Sequence, residues 1–211
     1  MKIGIIGSGI VSQTLAEGFL LKGHDVMLGT RHPEKLTDWA ARQHKNINID
    51  SFSETANFGE VIILSVSSAA VYQAIDIAGK EFFSKKTVID LINPIDFSKG
   101  FPPKLNSIQN ASLTEAIQAY LPDSHLVKAF NTVSVHQMTK PVYQEGKASL
   151  PICGNHAESK SVVTKLAESF GWDVVDLGRL DMAFWMDSLA MMFIIYGAKN
   201  KVPVGFKFYR G

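Results

Sequence analysis

The N-terminal stretch constrains the fold of this chain more than any other part of its sequence. Residues 2–6 (KIGII) form a short apolar run with the length and composition of a buried strand. A glycine-rich turn follows at residues 7–11, and the apolar positions between Leu15 and Leu20 then recur at helical spacing. A strand, a tight glycine turn and a helix in this order are the context in which a glycine fingerprint indicates dinucleotide binding.

The glycine turn has the chemistry of a pyrophosphate site. Gly7 lets the chain leave the strand sharply, and Gly9 has no side chain, so a pyrophosphate can approach the backbone. The helix that follows directs unpaired N–H groups and the positive end of its dipole at that anion. Ser12 stands where a third glycine or an alanine is usual. The residues predicted to bind the pyrophosphate are Gly7, Ser8, Gly9, Ile10 and Val11; the alternative is a tight turn that binds nothing.

The end of the second predicted strand, at residues 25–30, indicates which coenzyme is favoured. An NAD site places a carboxylate there for the ribose 2′-hydroxyl, but this strand ends in Thr30 and Arg31, with Lys35 shortly after. A hydroxyl, a guanidinium and an ammonium suit the additional 2′-phosphate of NADP, which an arginine can bind with paired hydrogen bonds. We therefore predict NADP as the cofactor. The alternative is that Arg31 and Lys35 are only solvated surface charges.

Strands and helices alternate along the first 140 residues. Further strands are predicted at residues 46–50, 60–66, 86–91 and 125–130, and helices at 34–44, 51–58, 69–79 and 113–120. Residues 95–111 contain Gly100 and two adjacent prolines, and they are predicted to form an irregular loop. The alternation predicts an α/β fold, a doubly wound and mostly parallel Rossmann sheet with helices on both faces.

The carboxyl ends of the predicted strands supply the remaining candidate site residues. In a doubly wound sheet the ligand lies beyond these ends, where the strand order reverses. The residues there are small or polar, as expected beside a ribose and a nicotinamide, although each taken alone could be a capping residue. Besides the glycine turn and the end of the second strand, the predicted cofactor-binding residues are Ser65, Val66, Ser67, Asn93, Pro94, Ala129 and Asn131.

The character of the sequence changes near residue 141. We predict an NADP-binding Rossmann domain at residues 1–140 and a small C-terminal α/β extension at 141–211 for the substrate side and dimerisation. Within the extension, strands are expected at 148–154 and 172–177 and helices at 156–170 and 181–198. The last helix is rich in methionine and aromatic residues. It is either core or dimer interface, or part of it walls a flat, ring-shaped substrate.

Composition and charge exclude several classes of function. The formal net charge is +1, which leaves no electrostatic footprint for nucleic acid or an anionic membrane. Cys153 is the only cysteine, so an internal disulfide and a multi-cysteine zinc site are excluded, and no metal site is predicted. No apolar run is judged long enough to span a bilayer, and no signal segment precedes the first strand. A cytoplasmic protein without membrane or nucleic-acid partners is expected.

Several motifs, taken in order, resemble those of a known family. They are the glycine turn, Thr30 and Arg31 with Lys35, KAFNT at residues 128–132, ICG at 152–154, DLGRL at 176–180 and VGFKF at 204–208. Their order resembles the NADP oxidoreductase, coenzyme F420-dependent family, which also includes the cytosolic domains of membrane ferric reductases of the STEAP type. The resemblance covers nearly the whole chain. Ser12 and Arg179 depart from it, since a glycine and a proline are usual at these positions.

The resemblance implies a Rossmann protein with a small C-terminal part, typically dimeric, that passes a hydride between NADP(H) and a flavin or deazaflavin. It implies that residues 8–11 hold the pyrophosphate, that Thr30, Arg31 and Lys35 hold the 2′-phosphate, and that Ala129 lies beside the nicotinamide. The expected partners are therefore a small flavin-like acceptor and a second copy of the chain.

Hydride transfer of this kind needs stacking, the correct ring face and exclusion of water, and it needs no side-chain acid or nucleophile. No catalytic residue is therefore predicted. Tyr143 and Lys147 have the Tyr-x-x-x-Lys spacing of short-chain dehydrogenases, but Gly146 interrupts a loop-like stretch, and the match is interpreted as chance. Two other functions stay open: a non-enzymatic NADP-binding sensor or partner subunit, and a dehydrogenase of a small carbonyl or imine substrate.

Overall fold

The computed structural model describes residues 1–43, 47–106 and 111–209. Its strands are β1 (Lys2–Ile6), β2 (Asp25–Gly29), β3 (Asn48–Asp50), β4 (Val61–Leu64), β5 (Thr87–Asp90), β6 (Ile95–Asp96), β7 (Lys104–Leu105), β8 (His125–Lys128), β9 (Ser149–Gly154) and β10 (Asp173–Asp176). Its α-helices are α1 (Ile10–Leu21), α2 (Thr37–Ala41), α3 (Phe52–Phe58), α4 (Val71–Ala78), α5 (Leu113–Tyr120), α6 (Ala157–Phe170) and α7 (Ala183–Asn200). Short 3₁₀ turns precede α2, α4 and α7, at Pro33–Leu36, Ser68–Ala70 and Leu180–Met182.

Eight of the described strands form one sheet, in the order β10-β9-β8-β5-β4-β1-β2-β3. The central strand β1 pairs in parallel with β2 on one side and with β4 on the other, so the strand order reverses between β1 and β4. The carboxyl ends of β1 and β4 therefore border the crevice in which doubly wound sheets bind their ligands. This topology confirms the predicted doubly wound, mostly parallel Rossmann sheet.

Alternate residues of the central strands belong to two separate cores, one on each face of the sheet. Ile3 and Ile5 of β1 pack in one core with buried residues of α1 and α6. Ile6 of β1 packs in the other core, with buried residues of α3, α4, α5 and α7. Because both faces are covered, every residue of β4 is buried, and such strands read in the sequence as continuous apolar runs.

Two local predictions differ from the structure. The sequence predicts an irregular loop at residues 95–111, but β6 and β7 pair there as an antiparallel hairpin. Strands of two residues carry too little alternation to be recognised from sequence. The predicted helix at 34–44 is shorter, because a 3₁₀ turn from Pro33 to Leu36 replaces its start and α2 ends at Ala41. Residues 44–46 and 107–110, which fall within these predictions and the third predicted strand, lie outside the described part of the chain.

The C-terminal residues continue the same sheet. β9 pairs antiparallel with β8, which places Cys153 opposite Lys128, and β10 pairs in parallel with β9. The chain then returns to β9 near its end, where the Ser149 N–H donates to the Phe206 carbonyl at 2.7 Å. The α/β character expected for the extension is present, and the division into two units at residue 141 stays a prediction.

The last helix, α7, has one buried and one exposed side. Its buried residues include Met186 and Asp187, whereas Trp185, Met192 and Tyr196 are about 60% exposed. Among the described helices, the segment Leu180–Asn200 is long and apolar enough to cross a membrane, with 33% of its most apolar window buried. The expectation that no apolar run has this length is therefore wrong, because the 21 residues of this segment contain only three charged ones, Asp181, Asp187 and Lys199.

Candidate functional site

The glycine turn after β1 lies where three strand ends meet. Gly7 has φ +133°, and a Cβ built on it would lie 2.1 Å from the Ser65 carbonyl oxygen at the end of β4. The Gly7 N–H donates to the Gly29 carbonyl at the end of β2, at 3.1 Å. Both the backbone conformation and the lack of space require glycine at this position. Gly7 thus brings the ends of β1, β2 and β4 together.

Gly9 differs from Gly7 because it faces open space. No atom lies within 4 Å of a Cβ built on Gly9, which is the N-cap residue of α1. No side chain caps α1, and its first turn contains no acidic residue. The first N–H groups of the helix are therefore available to an anion, and the positive end of the helix dipole points at the same space. This geometry fits the pyrophosphate site predicted for residues 7–11.

Ser12, which departs from the expected third glycine, connects α1 to β4. Its side chain is fully buried, and its hydroxyl donates to the Ser65 hydroxyl at 2.8 Å. The Ser12 side chain also packs closely against the glycine turn, since a Cβ built on Gly7 would lie 3.0 Å from the Ser12 Oγ. A serine meets the packing requirement of the usual glycine and adds one hydrogen bond to Ser65. Ser65, a predicted site residue, is thus held in place from α1.

The three residues after β2 that are predicted to bind the 2′-phosphate differ in their exposure to solvent. Thr30 is only 5% exposed, and its hydroxyl donates to the Ser8 hydroxyl at 3.2 Å, so it braces the glycine turn from behind. Arg31 and Lys35 are exposed, and neither forms an ion pair with a described residue. The nearby carboxylate of Glu34 lies 3.3 Å from a His32 ring nitrogen. The structure therefore leaves one guanidinium and one ammonium free for a phosphate.

A narrow crevice beside Arg31 adds residues that the sequence analysis missed. It lies between the end of β2 and the start of α4 and includes the predicted residue Val66. Gln73, Ala74 and Ile77, which share one face of α4 at helical spacing, line it together with Ala70 of the preceding 3₁₀ turn. That spacing was visible in the sequence, but only the fold shows that this face meets Arg31. Apart from Arg31, the residues that line this crevice are uncharged.

Two asparagines join the ends of β5 and β8. The Asn93 amide donates to the Asn131 carbonyl at 2.8 Å, and the Asn131 amide donates to the Asn93 side-chain oxygen at 3.1 Å. Asn131 is 2% exposed, and its side-chain oxygen has no hydrogen-bond partner among the described residues. Ala129 and Pro94 are buried, so Asn93 is the more accessible member of this predicted group.

Phe130 gives the end of β8 an unusual backbone. It is buried and adopts φ +61°, the left-handed region that bulky residues rarely occupy. This turn re-aims the chain directly after β8 and directs Asn131 towards Asn93. Strained residues of this kind cluster at functional sites. Nothing in the sequence signals it, because the strain exists only in the folded backbone.

A buried ion cluster lies directly beneath the asparagines. Lys128 is completely buried, and its ammonium lies 2.8 Å from the Asp187 carboxylate on α7 and 3.4 Å from that of Asp90 on β5. The ammonium also donates to the Ile92 carbonyl at 2.7 Å. Asp90 accepts further hydrogen bonds from the Thr114 hydroxyl at 2.6 Å and the Ile92 N–H at 2.9 Å. In the sequence, Lys128 stands out only as the first residue of the KAFNT motif at residues 128–132.

Burial and the attraction between opposite charges shift the pKa values of the residues in this cluster in opposite directions. Burial alone would lower the pKa of Lys128, but the attraction of Asp90 and Asp187 outweighs it and raises that pKa, so the ammonium stays charged. Burial raises the pKa of Asp187 to about 6, although Lys128 opposes the shift. Burial likewise raises the pKa of the Cys153 thiol to about 12, so it stays neutral at physiological pH.

The larger cavities lie away from the predicted cofactor surface. One of about 620 Å³ is lined by His125 and His156, whose rings stack 3.7 Å apart at the start of β8, the opposite edge of the sheet. Another of about 880 Å³ is lined by Tyr143 and the C-terminal residues, where the Tyr143 hydroxyl donates to the Val204 carbonyl. Phosphates bind on shallow backbone surfaces, so cavity size does not locate this site. Among the described residues, no group of three or more acidic, histidine or cysteine side chains could hold a metal ion.

Known proteins are similar to this chain in sequence and in fold. The family model described as NADP oxidoreductase, coenzyme F420-dependent matches residues 2–94. A crystal structure from Arthrobacter sp. FB24, provisionally named an F420-dependent NADP reductase, superposes with a TM-score of 0.92 at 33% identity and covers 100% of both chains. The F420-dependent NADP reductase of Methanocaldococcus jannaschii is 27% identical over 95% of this chain and 94% of its own length.

A second group of relatives is matched only in part. The metalloreductase STEAP3 of Rattus norvegicus is 26% identical over 90% of this chain, but the match covers 36% of that protein. The chain thus spans about a third of the length of this relative. The similarity to STEAP3 runs over 191 residues, so it extends along most of this chain.

Proposed function

The chain belongs to the NADP oxidoreductase, coenzyme F420-dependent family, and we propose that it transfers a hydride between NADP(H) and a flavin or deazaflavin acceptor. The observation that carries this proposal is the open, uncapped N-terminus of α1 above Gly9, with the free Arg31 side chain at the neighbouring strand end. These groups complement a pyrophosphate and a 2′-phosphate respectively. The described residues therefore fit NADP.

Each part of the site would have a separate task when the coenzyme is bound. The turn at residues 7–11 would hold the pyrophosphate, with the Ser8 side chain bonded to Thr30 and with Ser12 bonded to Ser65 at the end of β4. Arg31 and Lys35 would hold the 2′-phosphate. Asn93 and Asn131 would orient the nicotinamide end. The coenzyme supplies the hydride, and the chain supplies binding, orientation and exclusion of water, since a transfer between two stacked rings needs no side-chain acid.

The lengths of the matched relatives favour a flavin-like acceptor. The F420-dependent NADP reductase of M. jannaschii is matched over 94% of its length, whereas the metalloreductase STEAP3 is matched over 36%. A chain similar to the whole of the first protein has room for its acceptor side as well as its coenzyme side. The half-exposed, aromatic α7 beside the strand ends supports an acceptor with a flat ring system.

A direct assay tests this proposal. We expect the purified protein to oxidise NADPH when F420 or FMN is supplied, and to leave NADPH unchanged when small ketones or imines replace them. Turnover with the ketones or imines alone would establish the dehydrogenase alternative. Tight NADPH binding without turnover on any acceptor would establish the sensor alternative. Either outcome contradicts the proposed reaction.

The choice of coenzyme is tested in the same assay with the Arg31→Ala variant. We expect NADPH binding to weaken by about 1.5–3 kcal/mol, the scale of a hydrogen bond to a charged group, while NADH binding barely changes. Arg42→Ala, which removes another exposed arginine, is the matched control and should leave both affinities unaltered. Equal losses for NADPH and NADH in the Arg31 variant would refute the assigned role.

We also propose that the protein is a homodimer that associates through α7. Trp185, Met192 and Tyr196 recur along one stripe of this helix, and an exposed apolar stripe of this kind supports a protein contact. We expect Met192→Glu to shift the sedimentation coefficient from dimer to monomer. Leu21→Glu alters an equally exposed apolar residue at the end of α1 and should have no effect. A wild-type protein that sediments as a monomer would refute the proposal.

A further inference from the structure

The buried cluster of Asp90, Lys128 and Asp187 carries a net negative charge. It contains one ammonium and two carboxylates, all at most 2% exposed, so the formal charge is −1 when all three are ionised. Most buried ion pairs are balanced, because an uncompensated buried charge is unfavourable. The excess negative charge of this cluster is therefore unusual for the interior of a protein.

The cluster contacts the residues predicted to surround the nicotinamide. The Asp187 carboxylate lies 3.5 Å from the Asn131 amide nitrogen, and the Lys128 ammonium contacts the carbonyl of Ile92, which precedes Asn93. The Asn131 amide also donates to the Met186 carbonyl on α7 at 3.3 Å. One layer of hydrogen bonds thus separates the charge from the surface of the predicted coenzyme site.

The other groups around the cluster do not compensate its charge. The Thr114 hydroxyl donates to Asp90, which is a neutral contact. Cys153, opposite Lys128 on β9, is a neutral thiol, because burial raises its pKa to about 12. Asp181, in the 3₁₀ turn before α7, is exposed and contributes to the raised pKa of the Cys153 thiol. No cation other than Lys128 pairs with Asp90 or Asp187 among the described residues.

We propose that this cluster is a positioning device whose excess negative charge favours the oxidised, positively charged nicotinamide over the reduced, neutral ring. The inference rests on the proposed function. When the coenzyme gives up a hydride, two electrons and a proton leave together for the acceptor, and the ring gains one positive charge. A negative charge fixed behind the ring, in a poorly screened interior, stabilises that product and the developing charge on the way to it.

The preference for the oxidised coenzyme should also depend on pH, because one member of the cluster takes up a proton near neutral pH. The pKa of Asp187 is about 6, because burial outweighs the attraction of Lys128. The negative charge is therefore present at pH 8 and is lost as the pH falls through about 6, when the Asp187 carboxylate takes up a proton. The preference for the oxidised coenzyme should weaken over the same pH range.

Binding measurements test the inference without any acceptor. We expect the wild-type affinity for NADP⁺, relative to that for acid-stable tetrahydro-NADPH, to fall on the order of tenfold between pH 8 and pH 5.5, the scale of one partly screened charge. Asp187→Asn keeps the shape of the side chain and should show the lower ratio at both pH values. The 2′-phosphate also titrates in this range, but both ligands carry it, so its effect cancels in the ratio.

A matched control and the possible outcomes make the test decisive. Asp181→Asn removes an exposed carboxylate near the start of α7 and should behave as wild type. If Asp187→Asn weakens both ligands equally, the role of Asp187 is only structural and the inference is overturned. If that variant does not fold, a wild-type ratio that stays constant between the two pH values overturns it equally. Failure of the wild type to bind either ligand would instead refute the proposed function.

Discussion

Replacing Lys128 with Met is expected to lower the free energy of unfolding by about 3–5 kcal/mol, the cost of leaving a buried charge without its partner. Methionine fills the same space as the lysine stem, so the loss comes from electrostatics and not from a cavity. The carboxylates of Asp90 on β5 and Asp187 on α7 would then lie close together without the cation that pairs with both. Chemical denaturation followed by circular dichroism measures the change.

Two further variants identify the cause of this loss. Lys160→Met breaks the ion pair between Lys160 and Asp176, which is partly exposed, and should cost at most about 1 kcal/mol. Adding Asp187→Asn to Lys128→Met removes one of the two stranded carboxylates and should recover part of the loss. If Lys128→Met were no more damaging than Lys160→Met, the buried cluster would not stabilise the fold.

The two glycines of the N-terminal turn should respond to alanine in opposite ways. Gly7→Ala forces a methyl group against the Ser65 carbonyl and strains the backbone, so we expect a loss of about 3 kcal/mol of stability or more. Gly9→Ala meets no atom within 4 Å and should cost less than about 1 kcal/mol. Its methyl group would instead occupy the surface that the pyrophosphate approaches, and NADPH affinity should fall by roughly tenfold or more.

Thermal unfolding and calorimetric titration of both variants separate these effects. Gly23→Ala is the matched control, because Gly23 has φ +83° but no atom within 4 Å of a built Cβ. It should show the cost of backbone strain alone, about 1 kcal/mol, and should bind NADPH normally. Wild-type affinity in a folded Gly9→Ala variant would show that the anion does not lie above this residue.

The strands and helices of this protein could be predicted from its sequence more readily than the contacts between them. The order of strands and helices and the glycine turn could be predicted, because each depends on residues close together in the chain. The spacing of apolar residues indicates which positions are buried. A glycine shortly after a strand indicates a tight turn, and an arginine there indicates a positive charge at the strand end. The roles of the individual predicted site residues stay predictions.

Other features became visible only in the folded chain. The face of α4 that meets Arg31, the left-handed Phe130 and the pairing of β6 with β7 leave no local signature. The clearest case is Lys128, which reads in the sequence as an ordinary charged residue near a strand end. Its partner Asp90 lies 38 residues away, and the third member comes from the last helix. Local sequence determined which elements form, and the tertiary structure decided which distant charges share one interior, because burial and electrostatic pairing depend on distance in space.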